Sequence, residues 1–376
     1  MSKTIIHCTS LAGHHLEYLH HLYMGAVERS DWTFRFLMPS SFNEKKNLLS
    51  WPNAANITIE ILEDIDENID NDSLLKKSYA KARNLRKYVK LYNPTHIILI
   101  DLISYLPFLP FLVSSKVKVR GILYRIYLYE WKASGLLKKV QDTIKFILFS
   151  RCGLFERVFI LNDSAAAAYL NRLYSTSHFC YLPDPVAAPK DYTPSNIRDG
   201  LLISEGNTVY LHPGGMLPYK GTLEMLKAFN TMEPSILSNI TLILAGRVTP
   251  PIKEQFMTLF NQLKEKMQVL LMEGYLPDND LADLFYSCDY VLIPYRVKSQ
   301  SSGIVGHAAF YNKPVVVAHG GIIGKAVRRW HLGIPLNSPS AECIRWFVEA
   351  PISMQVHGES YVKTHSIEIF CEKIMN

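Results

Sequence analysis

Short apolar runs rich in Ile, Val, Leu, Phe and Thr recur along this chain, and most are separated by stretches whose apolar residues repeat every three or four positions. A brief β-branched run bounded by polar residues marks a buried strand, and the longer period marks an amphipathic helix. The first half reads as strands over 4–8, 33–38, 57–62, 96–100, 119–124 and 157–161, with helices over 16–28, 74–92, 136–149 and 165–173. The alternation stops at Tyr181-Leu182-Pro183-Asp184-Pro185-Val186 and stays interrupted through Asp199, where X-Pro steps favour extended backbone. It then restarts, with strands over 208–212, 241–245, 269–272, 290–293 and 314–318 and helices over 222–231, 252–266, 280–287 and 303–311.

Strands that alternate with helices pair in parallel through right-handed crossovers. The expectation is an α/β chain of two Rossmann-like, doubly wound domains: residues 1–182, a linker over 183–200, and residues 201–376, whose final helix can pack back on the first domain. Ligands of such sheets bind beyond the carboxyl ends of the strands, and the cleft between the halves is the default site. A length of 376 residues exceeds what one core organises, and 48% hydrophobic against 20% charged residues supplies two cores and excludes a disordered chain.

No run of about 18 uninterrupted apolar residues marks a membrane span, and the opening MSKTIIHCTSLAGHH is too polar for a secretory signal. A cytoplasmic protein is expected, with peripheral attachment to the inner membrane face as an accompanying reading. Cys8, Cys152, Cys180, Cys288, Cys343 and Cys371 show no C-x-x-C spacing, so neither a disulfide framework nor a zinc site is expected.

The net charge of +6 is unevenly placed: seventeen Lys/Arg between Lys76 and Arg157 face only Asp101, Glu130, Asp142 and Glu156. Just upstream, residues 60–72 carry seven acids and no base. Solvated helix faces explain this as well as a basic surface for anionic lipid headgroups or a diphosphate-bearing acceptor does. Nucleic acid is not an expected partner, because the basic region lacks an aromatic stacking platform. In GLLKKVQDTIKFILFSRC the apolar Leu136, Leu137, Val140, Ile144, Ile147 and Leu148 predict a core helix with a solvated face, and a membrane-surface helix is the alternative.

The candidate chemistry gathers where strands end. In LHPGGMLPYKG, Gly214 and Gly215 close a strand and Lys220 stands just before a helix, a geometry that suits an anion as well as an ordinary turn. In LILAGRVTPP, Arg247 follows the next strand and could fork onto phosphate oxygens. Gln300-Ser301-Ser302-Gly303 leads into a helix for which Ser301 or Ser302 is a suitable N-cap, and Gly320-Gly321 ends a further strand. Four such turns on one sheet edge point to a diphosphate.

These pieces, GGMLPYKG, ITLILAGR, GYLPDNDLADLFYSCDYVLIPY, SQSSG…HAAFYNKPVVV and HGG, stand in an order similar to that of the GT-B glycosyltransferases, specifically retaining family four. YLPDPV is similar to that family's interdomain segment and ERVFILNDSAAAAYL to the last strand-helix pair of its first domain. The resemblance implies the GT-B fold, a nucleotide-diphospho-sugar as co-substrate, a glycan or lipid-linked acceptor, and no metal or other cofactor. It implies donor contacts at Gly214, Gly215, Tyr275, Leu276, Ser299, Gln300, Ser301, Ser302, Gly303 and His307, with Lys220 and Arg247 taking the diphosphate. The departures are specific. Ser299 and His307 occupy the places of the family's two glutamates, and Gly215 stands where an arginine is common. A ribose hydroxyl is the expected partner of His307.

In TSLAGHHLEYLHHLY, after the first strand, Gly13 suits a tight loop and His14, His15 and Glu17 fall on the loop and first helical turn. A general base or acceptor contact is expected there, with Gly13 and Glu130 on the acceptor side. His20 and His21 lie further along the helix, and a metal is not expected in the absence of zinc-site spacing or an Asp-x-Asp pair. Two rival readings keep the fold: a nucleotide-sugar epimerase, which needs more cleft carboxylates, and a catalytically inactive binding subunit, which the loss of both glutamates would suit.

Overall fold

The computed structural model describes residues 2–11, 14–46, 49–62, 73–187, 189 and 192–376. The chain divides into two compact units, Met1–Pro183 with Ile367–Asn376, and Asp184–Ser366.

The first unit is built on strands β1 (Ser2–His7), β2 (Trp32–Met38), β3 (Ile57–Ile61), β4 (His96–Leu99), β5 (Lys118–Leu123), β6 (Phe155–Leu161) and β7 (Phe179–Leu182). All pair in parallel, in the order β3-β2-β1-β4-β5-β6-β7. The order reverses between β1 and β4, which is where such sheets bind ligands. Helices cover both faces. Ala82, Leu85, Phe146 and Phe149 fill one core, and Leu19, Leu22, Phe370 and Ile374 fill the other. The helix Ile367–Met375 packs against the helix His15–Val27, with Cys371 Sγ donating to the His21 carbonyl at 3.1 Å. Arg120, on β5, donates to the carbonyls of Ile374 and Asn376 at 3.2 Å each and to that of Met375, while pairing with Glu156.

The second unit carries β8 (Thr208–Pro213), β9 (Ile240–Ala245), β10 (Gln268–Met272), β11 (Tyr290–Ile293), β12 (Val315–Ala318) and β13 (Gly333–Leu336), all parallel, in the order β10-β9-β8-β11-β12-β13. β9 is buried along its whole length, as strands covered on both faces must be.

Three expectations need correction. Tyr181 and Leu182, read as the start of the interruption between the domains, form the end of β7, whose run FCYL buries only its first and last residues. The following residues are not a free tether, because the second unit pins them: Tyr192 donates to both Asp283 carboxylate oxygens at 2.8 Å, and Arg198 pairs with Asp289 at 2.8 Å. Finally, the helix Leu136–Arg151 turns only Phe146, Phe149 and Ser150 inward and leaves Leu136, Leu137, Val140, Ile144 and Ile147 exposed, because the two bulky rings already fill the space against the sheet. Also beyond the expected elements are β13 and the helices Gly321–Trp330, Ala341–Glu349 and Glu359–Thr364. Among the described residues, no helix is long and apolar enough to cross a membrane.

Candidate functional site

Because every strand of the second unit runs in one direction, the turns carrying Gly214–Gly215, Gly246–Arg247, the 294–303 loop and Gly320–Gly321 emerge along one edge. Their glycines meet backbone to backbone. Gly246 has φ +145°, and a Cβ there would lie 2.4 Å from the Gly214 carbonyl oxygen. Gly221, at φ +76°, precedes the helix Thr222–Asn230, and a Cβ on it would lie 2.2 Å from the Pro294 oxygen. Close crossing therefore explains these glycines directly. It also limits the free amides: Gly214 N–H donates to Ala245 and Gly246 N–H to Met272, at 2.8 and 2.9 Å.

What remains open is side-chain charge. The Lys220 ammonium folds back over the turn, 3.3 Å from where a Gly214 Cβ would stand, and lies 5.0 Å from the centre of the Tyr295 ring. Arg247 is exposed, and among the described residues neither cation has a carboxylate partner. By contrast Arg296, which also follows β11, is held by Glu224 at 3.0 Å. Tyr295 also lines a hollow of about 140 Å³ at the ends of β11, β12 and β13, together with Lys298, His319, Gly320, Gly321 and Asn337.

Beneath the turn, His212 is fully buried. Its Nδ1–H donates to the Leu292 carbonyl at 2.7 Å, and its Nε2 accepts from the Thr222 hydroxyl at 2.8 Å. Burial, with the nearby Lys220 charge, holds its pKa down at about 4, so the ring is neutral and ties β8 to β11 and to the helix start.

The 299–307 segment differs from the expectation. Neither Ser301 nor Ser302 caps the helix Ile304–Phe310; Gly303 is the N-cap, without a side-chain bond, because the hydroxyls are directed elsewhere. Ser301 Oγ donates to the buried Asp184 at 3.3 Å, and Ser302 Oγ lies 3.3 Å from the Tyr295 hydroxyl. Ser299 is fully buried, and Gln300 Oε1 is buried without a hydrogen-bond partner among the described residues. The His307 imidazole stacks on Phe285, 5.5 Å between centroids, which turns it toward the helix Asp278–Ser287. Tyr275 is 90% exposed beyond β10, while Leu276 packs against the core.

In the first unit, the residues after β1 separate into two groups. His14 Nδ1 contacts Glu17 Oε2 at 3.2 Å, and Glu17 Oε1 lies 3.7 Å from His21 Nε2. Burial would raise the Glu17 pKa, but the hydrogen bond with His14 and the nearby His21 imidazole outweigh it and hold the carboxyl well below the usual range. His15 is set differently. Its Nδ1–H donates to the Ser10 carbonyl at 2.9 Å and its ring stacks on Tyr124, leaving Nε2 without a partner among the described residues. Burial lowers its pKa, so the imidazole keeps its Nε2 lone pair. Glu130 pairs with Lys138 at 2.7 Å, and Gly13 lies outside the described residues. Among the described residues no three His, Cys, Asp or Glu side chains converge as a metal site would require.

Tyr295, His212 and Asp184 escaped the sequence reading. The only available signals were an aromatic two residues beyond a strand, a histidine beside the glycine pair, and an acid between two prolines.

No protein-family model matches the chain. It is 27% identical over 153 residues to the lipopolysaccharide 1,2-N-acetylglucosaminetransferase of Salmonella typhimurium, a stretch covering 39% of this chain and 40% of that relative's length. Among solved structures it is similar to Anabaena HepE in complex with UDP and glucose (TM-score 0.70, 13% identity, 100% of this chain and 98% of that one). Sucrose-phosphate synthase from Thermosynechococcus elongatus matches with a TM-score of 0.72 at 13% identity, over 100% and 98%. WaaG, a glycosyltransferase involved in lipopolysaccharide biosynthesis, matches with 0.66 at 12% identity, over 99% and 98%. With its two all-parallel sheets, the chain has the GT-B fold of these glycosyltransferases.

Proposed function

We propose that the chain is a glycosyltransferase of bacterial-type lipopolysaccharide or surface polysaccharide synthesis, moving a sugar from a nucleotide-diphospho-sugar to a glycan or lipid-linked acceptor. One observation carries this reading: Lys220 and Arg247, both without carboxylate partners among the described residues, stand beyond adjacent strands on the carboxyl edge of the second unit. The partial relative is a sugar transferase by name, and HepE binds UDP in the same fold, which supports a nucleotide donor.

When the bond between the anomeric carbon and the diphosphate oxygen breaks, the electron pair stays on the diphosphate. An ammonium held over the Tyr295 ring and a guanidinium beside it stabilise that growing charge, and no metal is required for this part of the chemistry. On the acceptor side, the His15 Nε2 lone pair receives the hydrogen bond of the incoming hydroxyl and orients it. Retention at the anomeric carbon, which the family-four resemblance implies, belongs to this reading.

A thermal-shift series with UDP, GDP, CDP and dTDP tests it. The matching diphosphate at a hundred times its dissociation constant should stabilise the protein by about 2.7 kcal/mol. A flat response to all four overturns the proposal. Slow release of nucleoside diphosphate from the matching sugar donor supports transfer, whereas interconversion of epimers, or binding without turnover, would select one of the rival readings.

A further inference from the structure

A second set of polar groups gathers on the carboxyl edge of the first sheet, where the strand order reverses between β1 and β4. Such a reversal opens a crevice beyond the strand ends. His7, buried at the end of β1, donates from Nε2 to the Asn84 amide oxygen at 3.1 Å and accepts at Nδ1 from the Tyr105 hydroxyl at 2.7 Å. Burial keeps this ring neutral, with a pKa of about 4, so its two bonds tie the helix Leu74–Tyr92 and the turn Leu102–Tyr105 to the strand end. Lys81 precedes Asn84 by three positions and shares its face of the helix, one turn nearer the carboxyl edge, because a helix that follows a parallel strand begins at that edge. This sets Lys81 beyond the end of β1, near Asp101, which follows β4.

Lys81, Asp101 and His15 are each half-buried. Burial pulls the Lys81 and His15 pKa values down, and the Asp101 carboxylate opposes it in both, alongside the Ser10 carbonyl in the case of His15. The three groups therefore share one crevice. Yet among the described residues the Lys81 ammonium, the Asp101 carboxylate and the His15 Nε2 make no hydrogen bond or ion pair; the bonds that Asp101 and His15 do make run through the Asp101 carbonyl and the His15 Nδ1. A half-buried carboxylate and ammonium that do not close on each other leave lone pairs and protons for a ligand to satisfy. A sugar hydroxyl does both at once, donating to the carboxylate and accepting from the ammonium. An alkyl phosphate satisfies the ammonium alone and sets its own charge against Asp101.

We infer that Lys81 and Asp101 are specificity-determining residues that select a glycan acceptor with a vicinal diol over a lipid phosphate, the attacking hydroxyl resting on His15 and its neighbour held between the carboxylate and the ammonium. The inference deepens the proposed transfer and rests on that reading for the role of His15.

Saturation-transfer NMR on the full chain, without donor, tests it with the methyl α-glycosides of glucose, galactose and mannose, the monodeoxy derivatives of whichever binds, and farnesyl phosphate. At least one parent glycoside should bind, and removal of either of two adjacent hydroxyls should weaken binding at least tenfold. Asp101→Asn and Lys81→Met should weaken the parent at least tenfold and no longer distinguish it from the derivative that lacks the hydroxyl they hold, a loss of discrimination that a structural role alone would not produce. Should a variant fail to fold, the deoxy series on the wild type still reads the contact through its two adjacent costly positions. Absent binding of all three glycosides, a flat deoxy series, discrimination retained in the folded variants, or displacement of the glycoside by farnesyl phosphate overturns the inference. Glycoside binding of the expected pattern beside a flat nucleotide thermal shift would strike the donor reading and uphold the diol contact.

Discussion

The Lys220 ammonium lies 5.0 Å from the centre of the Tyr295 ring, and no carboxylate among the described residues pairs with it. An aromatic face holds a cation in place without neutralising it, which keeps the charge available to an incoming anion. Lys220→Ala should therefore reduce turnover by roughly 10²-fold or more. It should also abolish the nucleoside-diphosphate thermal shift while leaving the unliganded midpoint near that of the wild type. Turnover within about threefold of wild type would contradict the proposed phosphate role. Tyr295→Phe keeps the ring and should bind donor normally.

Gly246 is required by a crossing of backbones rather than by flexibility. In Gly246→Ala the new methyl would stand 2.4 Å from the Gly214 oxygen at a φ of +145°, so the Gly214 turn and Lys220 must move with it. A loss of at least about 2 kcal/mol is expected. Gly274→Ala, where φ is +124° but no atom lies within 4 Å, isolates the backbone term and should cost less. Urea midpoints of the two variants measure the difference.

His212 makes the second unit sensitive to acid. Its folded pKa of about 4 lies below the unfolded value of 6.5, so between those limits the unfolded chain binds a proton that the folded chain excludes. Stability is thus undiminished above about pH 6.5 and falls as the pH drops toward 4, by roughly 3 kcal/mol at the bottom of the window. The equally depressed His365 adds to the slope. His212→Gln, which can still bridge Leu292 and Thr222, should flatten the dependence of the urea midpoint on pH across this window. An unchanged slope would show that His212 does not titrate as stated.

Arg120 closes the first unit over the chain's last residues. It is 4% exposed and serves Glu156 together with the carbonyls of Ile374, Met375 and Asn376. Arg120→Leu leaves those acceptors without their donor and should cost roughly 2–4 kcal/mol. Limited proteolysis should then trim the helix Ile367–Met375 faster than in the wild type. Equal trimming rates would show that core packing of Phe370 and Ile374 holds the helix by itself.

Elements that make many local contacts of one period were readable in advance. The helix Leu74–Tyr92 and the strand Tyr290–Ile293 fall where the hydrophobic pattern puts them, and the alternation of the two types dictates parallel sheets. β7 and β13, with two buried residues each against three in Tyr290–Ile293, were not readable, because their pairing is set by neighbours across the sheet rather than by their own pattern. Among the candidate site residues, the sequence singled out Lys220 and Arg247. It could not show that Arg296 is neutralised by Glu224, or that Ser301 is committed to Asp184. Those pairings join residues 72 and 117 positions apart.

The sequence by itself determined the alternation of strands and helices, and with it a common direction for the strands that puts their terminal glycines and cations on one edge. Tertiary structure alone decided which of those groups stay open to a ligand and which side of the helix Leu136–Arg151 meets solvent. A repeating pattern records that a helix has an apolar stripe. Whether the stripe turns inward depends on what already fills the space beneath, and here Phe146 and Phe149 fill it.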